Sequence, residues 1–131
     1  MRDIVMDVLV VDDSEVVADS LAFLLDSYGH RVTVAHDGET ALRLLRGGAF
    51  ELVLFDEHLA GIKGSAVAPL IIDEFVFHRP VVVFMTGDSD SYDECAQLFA
   101  TRLDKPFSVE ALMQVVEDVQ DNIDASALLA A

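Results

Sequence analysis

Two short apolar runs that each end in acidic residues constrain the fold of this chain more than any other feature. Residues 52–55 are Leu-Val-Leu-Phe and lead into Asp56, and residues 8–11 are Val-Leu-Val-Val and lead into Asp12 and Asp13. Runs of this length that are followed by turn residues are typical of strands buried on both faces. Sheets of such strands carry their chemistry at the carboxyl ends of the strands. We therefore expect Asp56 to lie at a functional edge of a buried sheet.

The rest of the chain continues the alternation of strand and helix. Further strands are predicted at residues 31–35, 81–85 and 101–103. Helices are predicted to begin at Ser14, Asp37, Ser65, Asp88 or Ser89, and Ser108. Five strand–helix units with no linker predict one α/β domain, in which helices cover both faces of a parallel sheet through right-handed crossovers. We assign residues 1–121 to this domain and expect residues 122–131 to form a frayed tail.

Composition narrows the class of protein. A chain of 131 residues that is 53% hydrophobic can bury a real core. Its 24 acidic and 8 basic residues give a net charge of −16, which argues against binding to nucleic acid or to an anionic membrane. There is no membrane-length apolar run, no secretory signal and no histidine spacing that suits zinc, and the single cysteine fits a reducing compartment. We therefore expect a cytoplasmic protein.

Polar groups follow four of the five predicted strands. They are Asp12 and Asp13, Asp56, Thr86, and Lys105. Two carboxylates at one sheet edge repel each other unless a cation joins them, and a small set of oxygen ligands suits Mg²⁺. A lysine and a hydroxyl beside them would bind the oxygens of a phosphoryl group. The set predicts a phosphoryl-transfer site in which a carboxylate attacks phosphorus.

Four motifs, in this order, resemble those of the receiver domain of two-component response regulators. They are Val10-Val11-Asp12-Asp13-Ser14, Leu54-Phe55-Asp56, Val83-Phe84-Met85-Thr86-Gly87 and Lys105-Pro106-Phe107. The resemblance spans residues 6–121, and we expect a receiver of the stand-alone, single-domain type. It implies a flavodoxin-like (CheY-like) doubly wound fold, with five βα units and the strand order 2-1-3-4-5.

The resemblance also implies a phosphoacceptor and a metal site. Asp56 would accept a phosphoryl group from a histidine kinase or a histidine phosphotransfer protein. Mg²⁺ would be bound directly by Asp13 and Asp56, by Asp12 largely through water, and by the backbone carbonyl of His58. On this basis the chain is a signalling protein that loses its own phosphoryl group by hydrolysis, not an enzyme acting on a separate substrate.

Signal output would begin at the two remaining motif residues. The resemblance implies that Thr86 and Lys105 bind phosphoryl oxygens, and that the peptide bond before Pro106 is cis. Movement of Thr86 would shift the last helix–strand–helix face, which would act through protein–protein contacts, including a homodimer.

Three departures from the family pattern affect the surroundings of Asp56 more than its chemistry. Ala60 stands where the family usually has proline, and the segment from Thr86 to Lys105 is shorter than usual. Arg102 stands where an aromatic switch residue is typical. We take His58, Asp88 and Arg102 as candidate modulators of the site.

Other function classes fit the residues less well. A Mg²⁺-dependent phosphohydrolase with an aspartyl nucleophile needs a second aspartate two positions later, where this chain has Ser14 or Glu15. A flavin or dinucleotide carrier would share the fold, but no glycine-rich phosphate loop follows the first strand. Two alternatives stay open: a receiver module of a hybrid histidine kinase, and a receiver-like interaction module without phosphate turnover.

Overall fold

The computed structural model describes residues 4–57, 59, 66, 70, 80–87 and 102–130 of the chain. Its strands and helices, numbered in chain order, are β1 (Asp7–Val11), α1 (Glu15–Ser27), β2 (Arg31–Ala35), α2 (Gly38–Gly47), β3 (Leu52–Asp56), β4 (Val81–Thr86), β5 (Arg102–Asp104) and α3 (Val109–Ala130). Ala66 and Leu70 are helical and lie in the segment where a helix is predicted to begin at Ser65. The helix predicted to begin at Asp88 or Ser89 lies outside the described residues.

The five strands form one parallel sheet in the order β2-β1-β3-β4-β5. This confirms the predicted fold and strand order. As expected for central strands, β1, β3 and β4 are almost entirely buried. The weak last strand covers residues 102–104, one position later than predicted. All five strands run the same way, so their carboxyl ends share one edge.

Two clusters of buried side chains cover the two faces of the sheet. Successive side chains of a strand point to opposite faces, so Val8 lies in one cluster and Leu9 in the other. The first cluster joins the strands to α1 and α3, and the second joins them to α2. In the second cluster the rings of Phe55 and Phe84 meet with centroids 6.2 Å apart. Burying each such side chain contributes about 1.5–3 kcal/mol to stability, so both faces hold the sheet in register.

Local signals set the ends of the helices. Ser14, Asp37 and Ser108 provide side-chain oxygens at the starts of α1, α2 and α3, as predicted. Their acceptors bind the N–H groups of Val17, Thr40 and Ala111 at 3.3, 2.7 and 3.0 Å. Gly29 follows α1 with φ +93°, a conformation that glycine adopts without steric cost.

The last helix is longer than the sequence analysis predicted. Residues from 122 onward were expected to be a frayed tail, but α3 continues to Ala130. No glycine or proline interrupts residues 109–130, and the alanines and leucines near its end favour helix. Gln120 also ties the helix to the start of the chain, because its Nε2 donates to the carbonyl oxygen of Ile4 at 3.0 Å. None of the described helices has the length and apolar character needed to cross a membrane.

Candidate functional site

Three carboxylates meet at the carboxyl edge of the sheet. Val11 and Phe55 are aligned in neighbouring strands, so the acidic residues that follow them leave the sheet side by side. Carboxylate oxygens of Asp12, Asp13 and Asp56 all lie within 4.8 Å of one another. Asp12 and Asp56 are buried, and Asp13 is exposed. The structure thus brings together the three acidic residues that the sequence analysis selected.

Lys105 places its ammonium group against this cluster. Its Nζ lies 2.9 Å from Asp12 Oδ2 and 3.5 Å from Asp56 Oδ2. The backbone N–H of Lys105 donates to the carbonyl oxygen of Thr86 at 2.8 Å, which fixes the loop after β5 beside the end of β4. The peptide bond between Lys105 and Pro106 is cis, as the resemblance implies.

The acidic neighbours of Lys105 stabilise its charged form. Burial lowers the pKa of its ammonium group, but the hydrogen bond to Asp12 and the charges of Asp56 and Asp12 outweigh burial. The net result is that the pKa of Lys105 is raised above its ordinary value. Among the described residues, this ammonium group contacts two of the three carboxylates. These four groups together carry more negative than positive charge, which a divalent cation would balance.

Hydrogen bonds fix both the backbone and the carboxylate of Asp12. Its N–H donates to the carbonyl oxygen of Ala35 at 3.1 Å, and its own carbonyl oxygen lies 3.1 Å from His36 Nδ1. Its carboxylate oxygens accept from the N–H of Ser14 at 3.0 Å and from Lys105 Nζ at 2.9 Å. Both oxygens already have a donor, which suits a carboxylate that reaches a metal ion through water.

Asp13 differs from Asp12 in this respect. Among the described residues, none donates a hydrogen bond to the Asp13 carboxylate. It therefore offers its oxygens for direct contact with a cation. The donors of the cluster are all carboxylate oxygens, a set that suits Mg²⁺ better than zinc or copper. The residues present fit the ion that the sequence analysis expected.

Thr86 and the candidate modulators complete the list of predicted site residues. Thr86 is buried and is the last residue of β4, so it lies at the same edge of the sheet as Asp56. Arg102 is the first residue of β5, and the structure describes its backbone only. His58 and Asp88 also lie outside the described residues, so their predicted roles stay predictions.

Sequence reasoning overlooked His36, the residue that touches the backbone of Asp12. The available signal was its position directly after β2, because β2 ends at the same sheet edge as β1 and β3. A search of histidine spacing for zinc ligands does not find a ring that acts as a hydrogen-bond donor.

Comparison with known proteins gives a consistent family. The sequence model of the response regulator receiver domain family matches residues 8–117. The chemotaxis protein CheY of Pseudomonas aeruginosa is 29% identical over 91% of this chain and 99% of its own length. The sensory transduction protein RegX3 of Mycolicibacterium smegmatis is 34% identical over 92% of this chain. The sensor histidine kinase AruS of P. aeruginosa is 30% identical over 96% of this chain.

The matched part is a variable share of these relatives. The chain spans 54% of RegX3 and only 13% of AruS. Among solved structures, CheY4 of Vibrio cholerae superposes with a TM-score of 0.81 at 22% identity, over 88% of this chain and 99% of that one. NtrX of Brucella abortus superposes with a TM-score of 0.84 at 25% identity, over 97% of this chain and 29% of that one. The chain therefore belongs to the response regulator receiver domain family, whose members are signalling modules of two-component systems.

Proposed function

We propose that this receiver domain accepts a phosphoryl group on Asp56 in a Mg²⁺-dependent reaction. The observation that carries the proposal is the cluster at the sheet edge. Three carboxylates lie within 4.8 Å of one another, and the Lys105 ammonium group is 3.5 Å from Asp56. A structural ion pair needs one acid, whereas three acids and a lysine meet here at a single edge of the sheet.

The donor in this proposal is a phosphohistidine of a histidine kinase or a histidine phosphotransfer protein. A carboxylate oxygen of Asp56 attacks phosphorus, an O–P bond forms and the P–N bond breaks. The electron pair of that bond returns to the leaving imidazole. Lys105 balances the negative charge on the transferred group, and Mg²⁺, when bound, would add positive charge at the same oxygens. Asp13 and Asp56 would hold the ion directly, with Asp12 acting through water.

The protein donor would dock beside the acceptor. An open groove of about 450 Å³ lies between α1 and the loop after β5, and its lining comes from Val16, Val17, Ser20, Leu21, Lys105, Pro106 and Phe107. Val16 is 76% exposed, and the acidic side chains of Glu15 and Asp19 lie exposed on the same helix. Because Lys105 belongs to both groove and site, a helix in the groove would lie next to Asp56. We infer a donor helix with an apolar stripe and basic flanks.

Output would pass through Thr86 and protein–protein contacts. The buried Thr86 hydroxyl lies at the end of β4, one residue past the position aligned with Asp56. In the proposal it binds a phosphoryl oxygen and carries the change to β5 and α3, where another regulator or a second copy would bind. Water would then hydrolyse the aspartyl phosphate and return the site to its starting state. We place the protein in the cytoplasm, where histidine kinases hold their phosphoryl groups.

Phosphorylation with acetyl phosphate and Mg²⁺ tests the proposal. Intact mass spectrometry should show the gain of one phosphoryl group in the wild type and none in Asp56→Ala. Asp26→Ala is the matched control, because it removes an exposed acid from α1 and should be phosphorylated like the wild type. A gain that persists in Asp56→Ala, or that is absent from the wild type, would contradict the proposal.

A second candidate is that the domain works as the receiver of a hybrid histidine kinase. The match to a part of AruS that makes up 13% of that kinase favours it. Immunoblots of cells that express the protein natively distinguish the two. A band at 14.3 kDa supports the stand-alone receiver, and a much larger band supports the hybrid kinase.

A further inference from the structure

His36 follows β2 at the edge of the sheet where the carboxylates lie, and its ring contacts the backbone of Asp12. Its Nδ1 atom is 3.1 Å from the carbonyl oxygen of Asp12. A carbonyl oxygen can only accept a hydrogen bond, so Nδ1 must carry a proton and donate it. The contact therefore requires a hydrogen atom on Nδ1, whichever form Nε2 takes.

This hydrogen bond acts on Asp13 through the backbone. The carbonyl group of Asp12 and the N–H and Cα of Asp13 lie in one rigid peptide plane. A donor that holds the oxygen therefore also limits rotation of the plane that carries Asp13. The next peptide is held as well, because the N–H of Ser14 donates to Asp12 Oδ1 at 3.0 Å. Asp13 thus lies between two peptide planes that are each fixed by a hydrogen bond.

Asp13 depends on this support more than Asp12 does. The Asp13 side chain is exposed, and within the described part of the chain no group donates to its carboxylate. Asp12 is different, since both of its carboxylate oxygens have donors. The backbone of Asp13, which fixes the position of its Cβ atom, therefore limits where the carboxylate can reach, since no hydrogen bond from the described residues holds the carboxylate itself.

We propose that His36 is a positioning residue for the divalent-cation site, and that its Nδ1–H holds the Asp12–Asp13 peptide so that the Asp13 carboxylate faces Asp56. The inference rests on the proposed function, because it takes Mg²⁺ as the ion that these carboxylates bind. Removing a group that orients a metal ligand typically weakens metal binding by about 10–100-fold. His36 is exposed and acts through the backbone, so we expect a smaller loss, about three- to tenfold.

The test measures Mg²⁺ binding directly, without a phosphodonor. Isothermal titration calorimetry of the full chain, with wild type and variants in the same buffer, gives the dissociation constant. His36→Ala should bind Mg²⁺ about three- to tenfold more weakly than the wild type. His36→Asn should stay within about twofold, because its amide nitrogen can take the place of Nδ1 as a donor. Thr33→Ala, an exposed change on β2, the strand that precedes His36, is the control and should bind like the wild type.

A second measurement separates positioning from folding. Thermal unfolding in EDTA should give His36→Ala and Thr33→Ala similar midpoints, since both side chains are exposed. Equal Mg²⁺ affinity in His36→Ala and the wild type would overturn the inference and leave the proposed function intact. Failure of His36→Asn to restore affinity, or a loss matched by metal-free instability, would also overturn it. A wild type that does not bind Mg²⁺ would overturn both.

Discussion

Replacing Lys105 by methionine tests the balance of charge at the site. The change removes the ammonium group and keeps most of the apolar stem. It leaves the carboxylate of Asp12, which is 1% exposed, without the donor at Oδ2. It also removes the positive charge 3.5 Å from Asp56. Without metal, the three acidic groups would then lose the positive charge that Lys105 supplies, and the folded state should lose stability.

The size of the loss follows from the burial of the pair. Breaking a buried ion pair by removing one partner costs about 3–5 kcal/mol, and an exposed pair is worth about 0–1 kcal/mol. The Lys105 side chain is 29% exposed and that of Asp12 is 1% exposed, so the pair lies between these limits. We expect Lys105→Met to lower the free energy of unfolding by about 1–3 kcal/mol in EDTA.

Magnesium should recover part of that loss. The variant site is more negative, so it should bind Mg²⁺ about tenfold more tightly than the wild type does. A tenfold change in affinity corresponds to about 1.4 kcal/mol of binding free energy. Phosphorylation should nevertheless be slower, because the charge on the transferred group has lost its lysine partner.

Urea denaturation followed by far-ultraviolet circular dichroism, in EDTA and in excess Mg²⁺, measures both effects. Arg31→Met is the matched control, since Arg31 contacts Asp7 at 2.7 Å on the opposite edge of the sheet but is 68% exposed. It should cost far less stability, and Mg²⁺ should not change that cost. The reasoning is wrong if Lys105→Met is as stable as the wild type in EDTA, or if Mg²⁺ narrows no part of the gap.

Two further predictions concern regions outside the cluster. His30 is 4% exposed and accepts the N–H of Met6 at 3.1 Å, and burial lowers its pKa below the ordinary 6.5. Its contribution to stability is therefore complete above about pH 6.5 and is lost as the pH falls through that value toward the folded pKa. Urea titrations between about pH 8 and pH 5 should show a smaller loss in His30→Asn, which keeps an acceptor but does not titrate. For the groove, the phosphodonor is the purified histidine kinase that phosphorylates the wild type fastest. Val16→Asp should slow phosphotransfer from this kinase by about tenfold or more, while labelling by acetyl phosphate stays within about twofold.

Each of these has a clear contrary result. Equal stability losses in wild type and His30→Asn across the pH range would show that His30 does not titrate on unfolding. For the groove, Val5→Asp is the control, because Val5 is 46% exposed and lies outside the groove lining. If Val5→Asp slows the kinase reaction as much as Val16→Asp does, added negative charge is the cause and the groove is not the docking face.

Much of the fold was predictable because its signals are local. Apolar runs such as residues 52–55 predict strands buried on both faces, and Ser14 and Asp37 mark helix starts through hydrogen bonds within one turn. The end of α3 was predicted wrongly for a physical reason. A frayed tail was expected from residue 122 onward, but Gln120 and the partly buried Ile123 connect the helix to distant parts of the chain.

The sequence alone determined which residues gather at the functional edge. Five parallel strands with right-handed crossovers end on one side, so residues after those strands must share that side whatever their exact contacts. The site residues could therefore be selected without coordinates; they are Asp12, Asp13, Asp56, Thr86 and Lys105.

Only the tertiary structure decided how those residues divide their hydrogen bonds. Lys105 lies closer to Asp12 than to Asp56, although 93 residues separate Lys105 from Asp12. His36 reaches the carbonyl oxygen of Asp12 across 24 residues through the alignment of β2 with β1. Such contacts depend on differences of about 1 Å in strand register and side-chain direction, and no local pattern of residues encodes distances that small.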